Sequence, residues 1–374
     1  MARAVYHNEP YGIVSGVAGE SVTVVGLGAA TPHAVVVFSS GGLGMVGDMR
    51  TDGALQVAHL AGPLPALRDT AALEPAPLSI AVHAGLAGRI IDPLGAPLDD
   101  GPALRPPPPP SAATPHVPLF GGSVAGITER APPGHAIDAG LKALNAAYPL
   151  IAGRTHLVTG ERGVGKSTLL TEVMKGVARV NAEVAAASVA ALVAPEAASA
   201  GDAATTVGDA DRAVHIVYVS LGASPAALRS TLIDLRTAGA LAGATVVAAP
   251  TGATAAMRYL APFTGAAIAE AHMRAGCHAL LVIDDLSDHF AAARMVSGVD
   301  WLRTEATPTY HAHLFDRAAQ LAPAAGGGSL TLLASAHSVP TGAAHSQVRC
   351  FVGRGGAAAV TCCPLHRQLS SPCR

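Results

Sequence analysis

Short β-branched runs separated by glycines fill the chain between Gly12 and Leu78. Runs such as "GIVSGV", "SVTVVGLG" and "ALQVAHLAG" have the length and alternation of half-buried strands, and the glycines between them are typical of tight turns. Closely spaced short strands of this kind predict a small β-barrel or sandwich, which we assign to residues 10–78. The "GLGAA" at 26–30 lacks the third glycine and the following helix of a dinucleotide-binding fold, so it is interpreted as a barrel turn.

A second pattern covers residues 79–337, where continuous apolar runs alternate with helical stretches. Runs such as "THLVTG", "VHIVYVSLG", "ATVVAAP", "ALLVIDD" and "SLTLLASA" predict parallel strands covered on both faces. The five prolines Pro106–Pro110 cannot enter a helix or a central strand, and they predict a stiff surface linker. The pattern therefore predicts an α/β fold, with a small β-barrel followed by a domain built on a mainly parallel sheet.

Two segments depart from this alternation. The segment at 182–214 is low in complexity and rich in Ala, Ser, Thr and Gly, which predicts a surface insertion, part helix and part loop. Residues 338–374 lose all periodicity, and we predict an irregular tail there.

Composition narrows the classes of partner. Apolar residues make up 50% of the chain, charged residues 13% and aromatic residues only 3%, so the core must be built from Ala, Val and Leu. A net charge of −2 gives no electrostatic footprint for nucleic acid or an anionic membrane surface, and neither partner is predicted. The longest apolar stretch, at 184–194, is shorter than the roughly 20 residues of a spanning helix. The first ten residues match neither a signal peptide nor a transit peptide, so any import signal is expected outside this sequence.

Four of the five cysteines crowd the end of the chain, at 350, 362, 363 and 373. The odd number of cysteines in a chain of this length does not suggest a disulfide framework. The adjacent pair at 362 and 363 also lacks the C-x-x-C spacing that lets two thiolates face one metal. No zinc site is predicted.

The stretch "GERGVGKST" at 160–168 carries the clearest chemistry. It satisfies G-x-x-x-x-G-K-[ST] and lies between a predicted strand and a predicted helix. In such a loop the backbone N–H groups surround phosphates, Lys166 contacts the β- and γ-phosphates, and the hydroxyl of Ser167 ligates Mg²⁺. An ordinary glycine-rich turn would not account for the lysine, the hydroxyl and both flanking elements together. The predicted nucleotide-binding residues are Gly160, Glu161, Arg162, Gly163, Val164, Gly165, Lys166, Ser167 and Thr168.

A carboxylate for the magnesium is expected at the end of another strand. "HALLVIDDLSDH" supplies an apolar run that ends at Asp284 and Asp285. Asp284 is assigned to the magnesium because it is the first residue at the carboxyl end of the strand. The alternative interpretation is a pair of solvated loop aspartates.

These motifs and the phrases around them resemble the alpha subunit of F-type ATP synthases over roughly residues 10–337. "DDLS" and "GGGSLT" favour alpha over the beta subunit and over the related export and Rho-type motors. The phrases that carry the resemblance are "FSSGGLGM" (38–45), "GRIIDPLGAPLDDGP" (88–102), "AGLKALNAAYPLIAG" (139–153), "YLAPFTGAAIAE" (259–270), "HALLVIDDLS" (278–287), "HAHLFDRAAQLA" (311–322) and "GGGSLT" (326–331).

The resemblance implies a β-barrel crown, a RecA-like nucleotide domain, and assembly with beta subunits in an alternating ring around a rotating stalk. In that family the alpha subunit holds Mg-ATP, with ATP or ADP as ligand, and the catalytic sites belong to beta. "FSSG" followed by "GM" resembles mitochondrial and related bacterial alpha subunits, so the expected location is the matrix side of the mitochondrial inner membrane. Contact with that membrane is expected only through the complex.

The next question is whether the bound nucleotide is cleaved. Catalytic relatives carry a glutamate just beyond the strand neighbouring the phosphate loop, taken here as "VHIVYVSLGASP", and the residue at that place is Ala223. Alanine can neither accept a proton nor orient a water. Glu161 lies at the beginning of the loop, where its side chain is expected to point away. No catalytic residue is therefore predicted.

Other departures from the family concern assembly. The loop that faces the central stalk is replaced by "GVDWLRTEATPTY" (298–310), which puts contact with the stalk in doubt. The segments that carry the family's trans-acting arginine, its helical C-terminal domain and its N-terminal docking segment have no counterpart, so a hexamer with this chain at every alpha position is expected to make ATP poorly. Two alternatives stay open: an independent export-type or Rho-like ATPase motor, and an incomplete gene product that does not assemble.

Overall fold

The structure is a computed structural model that describes residues 11–28, 30–49, 53–102, 104, 116–120, 124–193, 213–297, 307–337 and 358–361. Its first part is a closed antiparallel barrel with the strand order β1-β2-β5-β4-β3-β6, in which β6 pairs again with β1. The six barrel strands are β1 (Tyr11–Ala18), β2 (Ser21–Val25), β3 (Val35–Phe38), β4 (Leu43–Met49), β5 (Leu55–Ala61) and β6 (Thr70–Leu73).

Along these strands, apolar residues that face inward alternate with residues that face outward, which explains why the segments close into a barrel. In the first half of β1 and throughout β2 every second residue is buried, so that Val14, Val22 and Val24 face the interior. Phe38 and Val57 fill the same interior from the other side. Closure leaves no unpaired sheet edge, because every strand has two neighbours. The predicted N-terminal barrel is confirmed.

The rest of the described chain alternates strands and helices. The strands are β7 (Ser79–Ala81), β8 (Ile90–Ile91), β9 (His116–Pro118), β10 (Ala136–Ile137), β11 (Leu150–Ile151), β12 (Thr155–Gly160), β13 (Val214–Leu221), β14 (Ala244–Ala249), β15 (His278–Asp284), β16 (Ala319–Gln320), β17 (Ser329–His337) and β18 (Ala358–Thr361). The α-helices are α1 (Lys142–Ala147), α2 (Lys166–Val193), α3 (Pro225–Thr237), α4 (Ala255–Arg274), α5 (Leu286–Ser297) and α6 (Thr307–Phe315).

The central sheet has the order β18-β12-β17-β15-β13-β14-β8, with β16 antiparallel on β17 and the other pairs parallel. Strands β12 and β14 are buried along their whole length, as expected for strands covered on both faces. On one face α2 and α3 pack through residues such as Leu170, Met174 and Leu235. On the other face α4 and α5 pack together with part of the barrel. The predicted α/β fold is confirmed.

A stack of rings joins the barrel to the domain of the central sheet. His33 of the barrel stacks on Phe120 at 3.9 Å between ring centroids, and its Nε2 lies 3.0 Å from the hydroxyl of Tyr259 on α4. The backbone carbonyl of Tyr259 accepts from His289 Nε2 at 3.0 Å, so Nδ1 of that neutral ring accepts from His311 Nε2, also at 3.0 Å. The barrel and helices α4, α5 and α6 are thus connected through uncharged imidazoles.

The structure differs from the sequence-based predictions in the C-terminal tail. Residues 358–361 of the predicted irregular tail form β18, which pairs in parallel with β12. The free edge of β12 carries unpaired backbone N–H and C=O groups that an added strand satisfies, and a four-residue run is too short to show a period. The four tail cysteines lie outside the described residues.

Two further predicted segments are only partly described. Of the predicted insertion, residues 182–193 continue helix α2, and 194–212 lie outside the described residues. Positions 298–306 of the stalk-facing segment also lie outside them. Within the described part of the chain, no helix is long and apolar enough to cross a membrane.

We expect Gly176→Ala to destabilise the fold. Gly176 lies in α2, and a Cβ there would overlap the carbonyl oxygen of Ala139 and come within 2.9 Å of the Cα of Gly140. The overlap with a backbone atom outweighs the better helix propensity of alanine, for a net loss of roughly 1–2 kcal/mol in the free energy of unfolding. Chemical denaturation measures this loss. The matched control is Gly243→Ala, where no atom lies within 4 Å, and equal stability of the two variants would contradict the packing.

We also expect the ring stack to make stability fall in mild acid. Burial lowers the pKa of His289 to about 4, below its ordinary value of 6.5. The unfolded chain therefore takes up the proton first, so stability is complete above pH 6.5 and is lost as the pH falls from 6.5 towards 4. His289 alone should cost about 2 kcal/mol between pH 7 and pH 5.

Denaturation of His289→Gln at both pH values isolates this contribution. Glutamine keeps a donor towards the carbonyl of Tyr259 but does not titrate in this range, so the loss between pH 7 and pH 5 should shrink by that amount. His116→Gln, at an exposed position on β9, should behave like the wild-type chain. An unchanged pH dependence in His289→Gln would show that the buried ring does not carry the effect.

Candidate nucleotide-binding site

Parallel register brings the carboxyl ends of four strands to one edge of the sheet. Gly160, the last residue of β12, pairs with His337, the last residue of β17. Ser220 of β13 pairs with Asp284, the last residue of β15. Ligands of open parallel sheets bind outside this edge. The phosphate loop and the predicted magnesium carboxylate therefore lie at the same place in the fold.

The loop between β12 and α2 has the backbone of an anion cradle. Gly163 and Gly165 have φ values of 79° and 92°, in the left-handed region that favours glycine. Helix α2 begins at Lys166, and the carbonyl of Gly165 accepts the N–H of Leu169 at 2.9 Å. The first N–H groups of the helix and its positive dipole end consequently point into the space above the sheet.

The ammonium of Lys166 has three hydrogen-bond acceptors within the chain. Its Nζ lies 3.0 Å from the carbonyl oxygen of Gly160, 2.8 Å from that of Glu161 and 2.9 Å from Nδ1 of His337. The side chain is only 5% exposed, so these contacts replace the water that a free ammonium would hold. An ammonium has three N–H donors, and all three are satisfied here.

An open cleft of about 410 Å³ lies above this edge. Three of the predicted nucleotide-binding residues, Glu161, Arg162 and Val164, do not line the cleft. The side chain of Glu161 is exposed, and its backbone carbonyl accepts a hydrogen bond from Lys166. Gly160 likewise contributes its carbonyl. The residues that line the cleft are Gly163, Gly165, Lys166, Ser167, Thr168, Leu221, Gly222, Ala223, Ala227, Asp284, Asp285, Asp288 and His337.

The oxygen atoms at this edge fit a magnesium ion. Asp284 and Ser167 line the same cleft, and Oδ1 of Asp284 accepts the hydroxyl of Ser335 at 2.6 Å. A carboxylate and a hydroxyl are hard oxygen ligands, and Mg²⁺ takes its remaining ligands from water and phosphate oxygens. Among the described residues no group of three or more His, Cys, Asp or Glu side chains forms a metal site, and a Mg-nucleotide does not require one.

His337 was missed by the sequence-based reasoning. Its Nε2 lies 2.8 Å from Oδ2 of Asp285, so the ring bridges an acid and an ammonium. Burial lowers the pKa of His337, and the nearby charges of Lys166 and Arg162 lower it further, while Asp285 and Asp288 oppose them. A neutral ring with its proton on Nε2 satisfies both contacts, because Nδ1 must accept from Lys166.

The end of β13 lies in the cleft beside the phosphate loop. The "VHIVYVSLG" strand was expected to neighbour that loop, and Leu221, Gly222 and Ala223 line the cleft together with the loop glycines. In the sheet itself β17 and β15 lie between β12 and β13. Sequence order does not determine strand order when crossovers skip positions.

Asp288 is a further carboxylate that was not singled out. It lies in the first turn of α5 and lines the cleft. It packs so closely on Gly222 that a Cβ there would lie 2.6 Å from its Cγ. Gly222 has a φ of 60°, in the left-handed region that favours glycine, and a larger residue there would also displace the side chain of Asp288.

Comparison with known proteins gives the family. A sequence model described as "ATP synthase alpha/beta family, nucleotide-binding domain" matches residues 140–342, more than half of the 374-residue chain. The chain belongs to the ATP synthase alpha/beta family. The matched range includes the phosphate loop, Asp284 and His337, so the cleft described above lies in the nucleotide-binding domain of this family.

Similar curated proteins are named ATP synthase subunit alpha. The proteins from Frankia alni and Kocuria rhizophila are 33% and 34% identical to the chain over 262 and 266 residues. The one from Rhodococcus erythropolis is 31% identical over 264 residues. Each alignment covers 68% of this chain and 41% or 42% of the relative. The resemblance to alpha subunits is confirmed, and the chain spans about two fifths of the length of these bacterial relatives.

Proposed function

We propose that this chain is a nucleotide-holding subunit of the alpha type, which binds Mg-ATP or Mg-ADP and does not turn it over. The observation that carries the proposal is a complete phosphate cradle facing an alanine. Lys166, Ser167 and Asp284 line one cleft with Ala223. Binding a nucleotide and cleaving it need different groups, and the groups in this cleft are suited to binding.

Binding is supported by the chemistry of the cradle. The left-handed glycines free the loop backbone to turn its N–H groups towards phosphate, and the α2 dipole adds positive potential at the same point. Lys166 supplies a point charge for the β- and γ-phosphates, and Ser167 and Asp284 are suited to hold the magnesium. When bound, magnesium would neutralise part of the phosphate charge. The site assignments remain proposals, with Gly160 and Glu161 acting through their carbonyls and Arg162 adding charge at the rim.

The absence of a suitable base at Ala223 argues against cleavage. Hydrolysis of a γ-phosphate needs a group that orients or activates the attacking water. At the end of β13 the methyl group of Ala223 can do neither. Asp285, the acid next to the predicted magnesium ligand, is occupied, since it accepts from the backbone N–H of Ser287 at 2.8 Å and pairs with His337.

One observation favours the alternative, an ATPase of the export or Rho-like type. The carboxylate of Asp288 lies against Gly222, one residue before Ala223, and lines the cleft. A carboxylate on α5 can orient a water from the neighbouring element even where β13 supplies none. The alternative therefore makes a definite assignment, in which Asp288 replaces the glutamate that is missing after β13.

The proposed partners are beta-type subunits in an alternating ring. The relatives' name places them in ATP synthase, and membrane contact for this chain is proposed only through such a complex. These relatives are bacterial, so the mitochondrial location stays a prediction. Contact with the central stalk, which the sequence puts in doubt, also stays a prediction. Native mass spectrometry of the chain co-expressed with a beta subunit tests the partner, and a chain that stays monomeric would contradict it.

We expect the purified chain to bind Mg-ATP without releasing phosphate. Lys166→Ala should weaken binding by roughly 10- to 100-fold, because a charge-assisted contact to phosphate is lost. Isothermal titration calorimetry measures the affinity, and a phosphate-release assay measures turnover. Lys175→Ala on α2 is the matched control, because Lys175 is half-buried, pairs with Glu172 and does not line the cleft. Its affinity for Mg-ATP should equal that of the wild-type chain.

Two outcomes would overturn this. Phosphate release by the wild-type chain that is lost in Lys166→Ala and in Asp288→Asn would establish the ATPase alternative. Equal affinity of the wild-type chain and Lys166→Ala for Mg-ATP would remove the cradle as the binding site.

A further inference from the structure

His337 lies where a terminal phosphate has to bind. The last residues of β12 and β17 are paired, so the ring at 337 is held beside the beginning of the phosphate loop. Its Nδ1 is 2.9 Å from Nζ of Lys166, the group that the proposed function assigns to phosphate. The third N–H of the ammonium therefore already has an acceptor from the chain itself.

The three acceptors on Lys166 are not equivalent. The carbonyls of Gly160 and Glu161 belong to the loop backbone, and their positions are set by β12 and the turn. His337 is a side chain, and rotation about its own bonds moves the ring without changing the loop. When an anion approaches Lys166, the imidazole is the acceptor that can give way.

The ring of His337 is also held on the side away from Lys166. Its Nε2–H donates to Oδ2 of Asp285 at 2.8 Å, and its backbone N–H donates to Oγ of Ser287 at 2.9 Å. Asp285 is in turn fixed by the backbone N–H of Ser287. This support orients the Nδ1 lone pair towards Lys166 and keeps the ring next to the cleft after Lys166 is released.

We propose that His337 is the internal occupant of the phosphate site: it holds Lys166 while no nucleotide is bound, and it becomes a proton-carrying phosphate contact when a triphosphate takes its place. This rests on the proposed function, since it assumes that phosphate binds at Lys166. A phosphate oxygen accepts from the ammonium, and Nδ1 of His337 takes one proton from solvent. The Nδ1–H then donates to phosphate while Nε2–H stays on Asp285.

The charges around the ring set the sign of the effect. Lys166 and Arg162 oppose a positive imidazole, whereas Asp285, just before α5, and Asp288 on α5 favour it, and burial lowers the pKa of His337 in the empty site. A bound triphosphate adds negative charge and neutralises Lys166, which raises that pKa. His337 should therefore have a higher pKa with nucleotide bound than without it. The affinity for Mg-ATP should increase as the pH falls through the pKa of the bound state, and it should level off below the pKa of the free state.

Two variants separate the roles of the ring. His337→Gln places an oxygen towards Lys166 and an N–H towards Asp285, so it keeps both contacts and cannot take up a proton. His337→Ala removes the side-chain acceptor and leaves Lys166 with only the two loop carbonyls. The exposed His116→Gln on β9 is the control for a histidine outside the site.

Calorimetry with Mg-ATP between pH 8.5 and pH 6 tests the proton linkage. Over this range the affinity of the wild-type chain should increase by a factor roughly ten times larger than the factor for His337→Gln. The titration of the nucleotide itself contributes equally to both chains and cancels in the comparison. Titrations in two buffers of different ionisation enthalpy should show uptake of up to about one proton in the wild-type chain and in His116→Gln, and close to none in His337→Gln. At pH 8.5, His337→Ala should bind roughly five-fold more tightly than the wild-type chain.

Nitrogen-15 NMR of the nucleotide-free chain tests the occupant directly. At pH 7.5 the Nδ1 of His337 should be unprotonated and its Nε2 protonated, and Nδ1 should become protonated when Mg-ATP is added. A doubly protonated ring in the nucleotide-free chain would overturn the proposal, whatever the affinity for nucleotide.

The two proposals fail in different ways. If the wild-type chain binds Mg-ATP through Lys166 but has the same pH dependence and proton uptake as His337→Gln, the role of His337 is wrong and the proposed function stands. If the wild-type chain binds Mg-ATP no better than Lys166→Ala, the proposed function is wrong, and the role of His337 as a phosphate contact is wrong with it.

Discussion

The parallel pairing of β12 with β17 is the constraint on which the site depends. It places the last residue of one strand, Gly160, beside the last residue of the other, His337, and so fixes what lies next to Lys166. The same edge receives Asp284 from β15, because β15 pairs in parallel with β17 and with β13. A shift of one residue along any of these strands would turn the adjacent side chains to opposite faces of the sheet. The cleft is therefore a consequence of the register of buried apolar strands that themselves carry no chemistry.

Within this frame, holding and cleaving a nucleotide are separable tasks. Attraction of phosphate comes from the loop backbone, the α2 dipole and one ammonium, and none of these groups has to move a proton. Cleavage adds the demand for an oriented water, which depends on a single position at the end of β13 and on its neighbours. Ala223 removes that function from β13, and Asp288 is the nearby carboxylate that could restore it from α5. Cleavage thus depends on the side chains at positions 223 and 288, whereas binding depends on the loop backbone, the α2 dipole and Lys166.

Much of the fold could be predicted from the sequence because its signals are local. Alternation in "SVTVV" and continuous apolar runs such as "THLVTG" each report the burial of their own strand, and they match β2 and β12. The spacing of Gly160, Gly165 and Lys166 likewise predicted a loop between a strand and a helix, and such a loop joins β12 to α2. The placement of Asp284 at the cleft followed from the rule that the carboxyl ends of parallel strands meet at one edge.

What could not be predicted is long-range. The order of the strands is not contained in any single run, and β17 and β15, which come later in the sequence, lie between β12 and β13. His337 is separated from Lys166 by 171 positions in sequence, and a lone histidine at the end of an apolar run gives no local sign of such a contact. The pairing of β18 depends on a free edge that only the assembled sheet presents.

We propose that this cleft holds an intact triphosphate. A crystal structure of the wild-type chain grown over several days with Mg-ATP shows whether it does. We expect an unbroken γ-phosphate in contact with Nζ of Lys166, with the ring of His337 withdrawn from that ammonium and donating to phosphate. A cleft that contains ADP after incubation with ATP, or one in which Lys166 still contacts His337 and no nucleotide is bound, would contradict it.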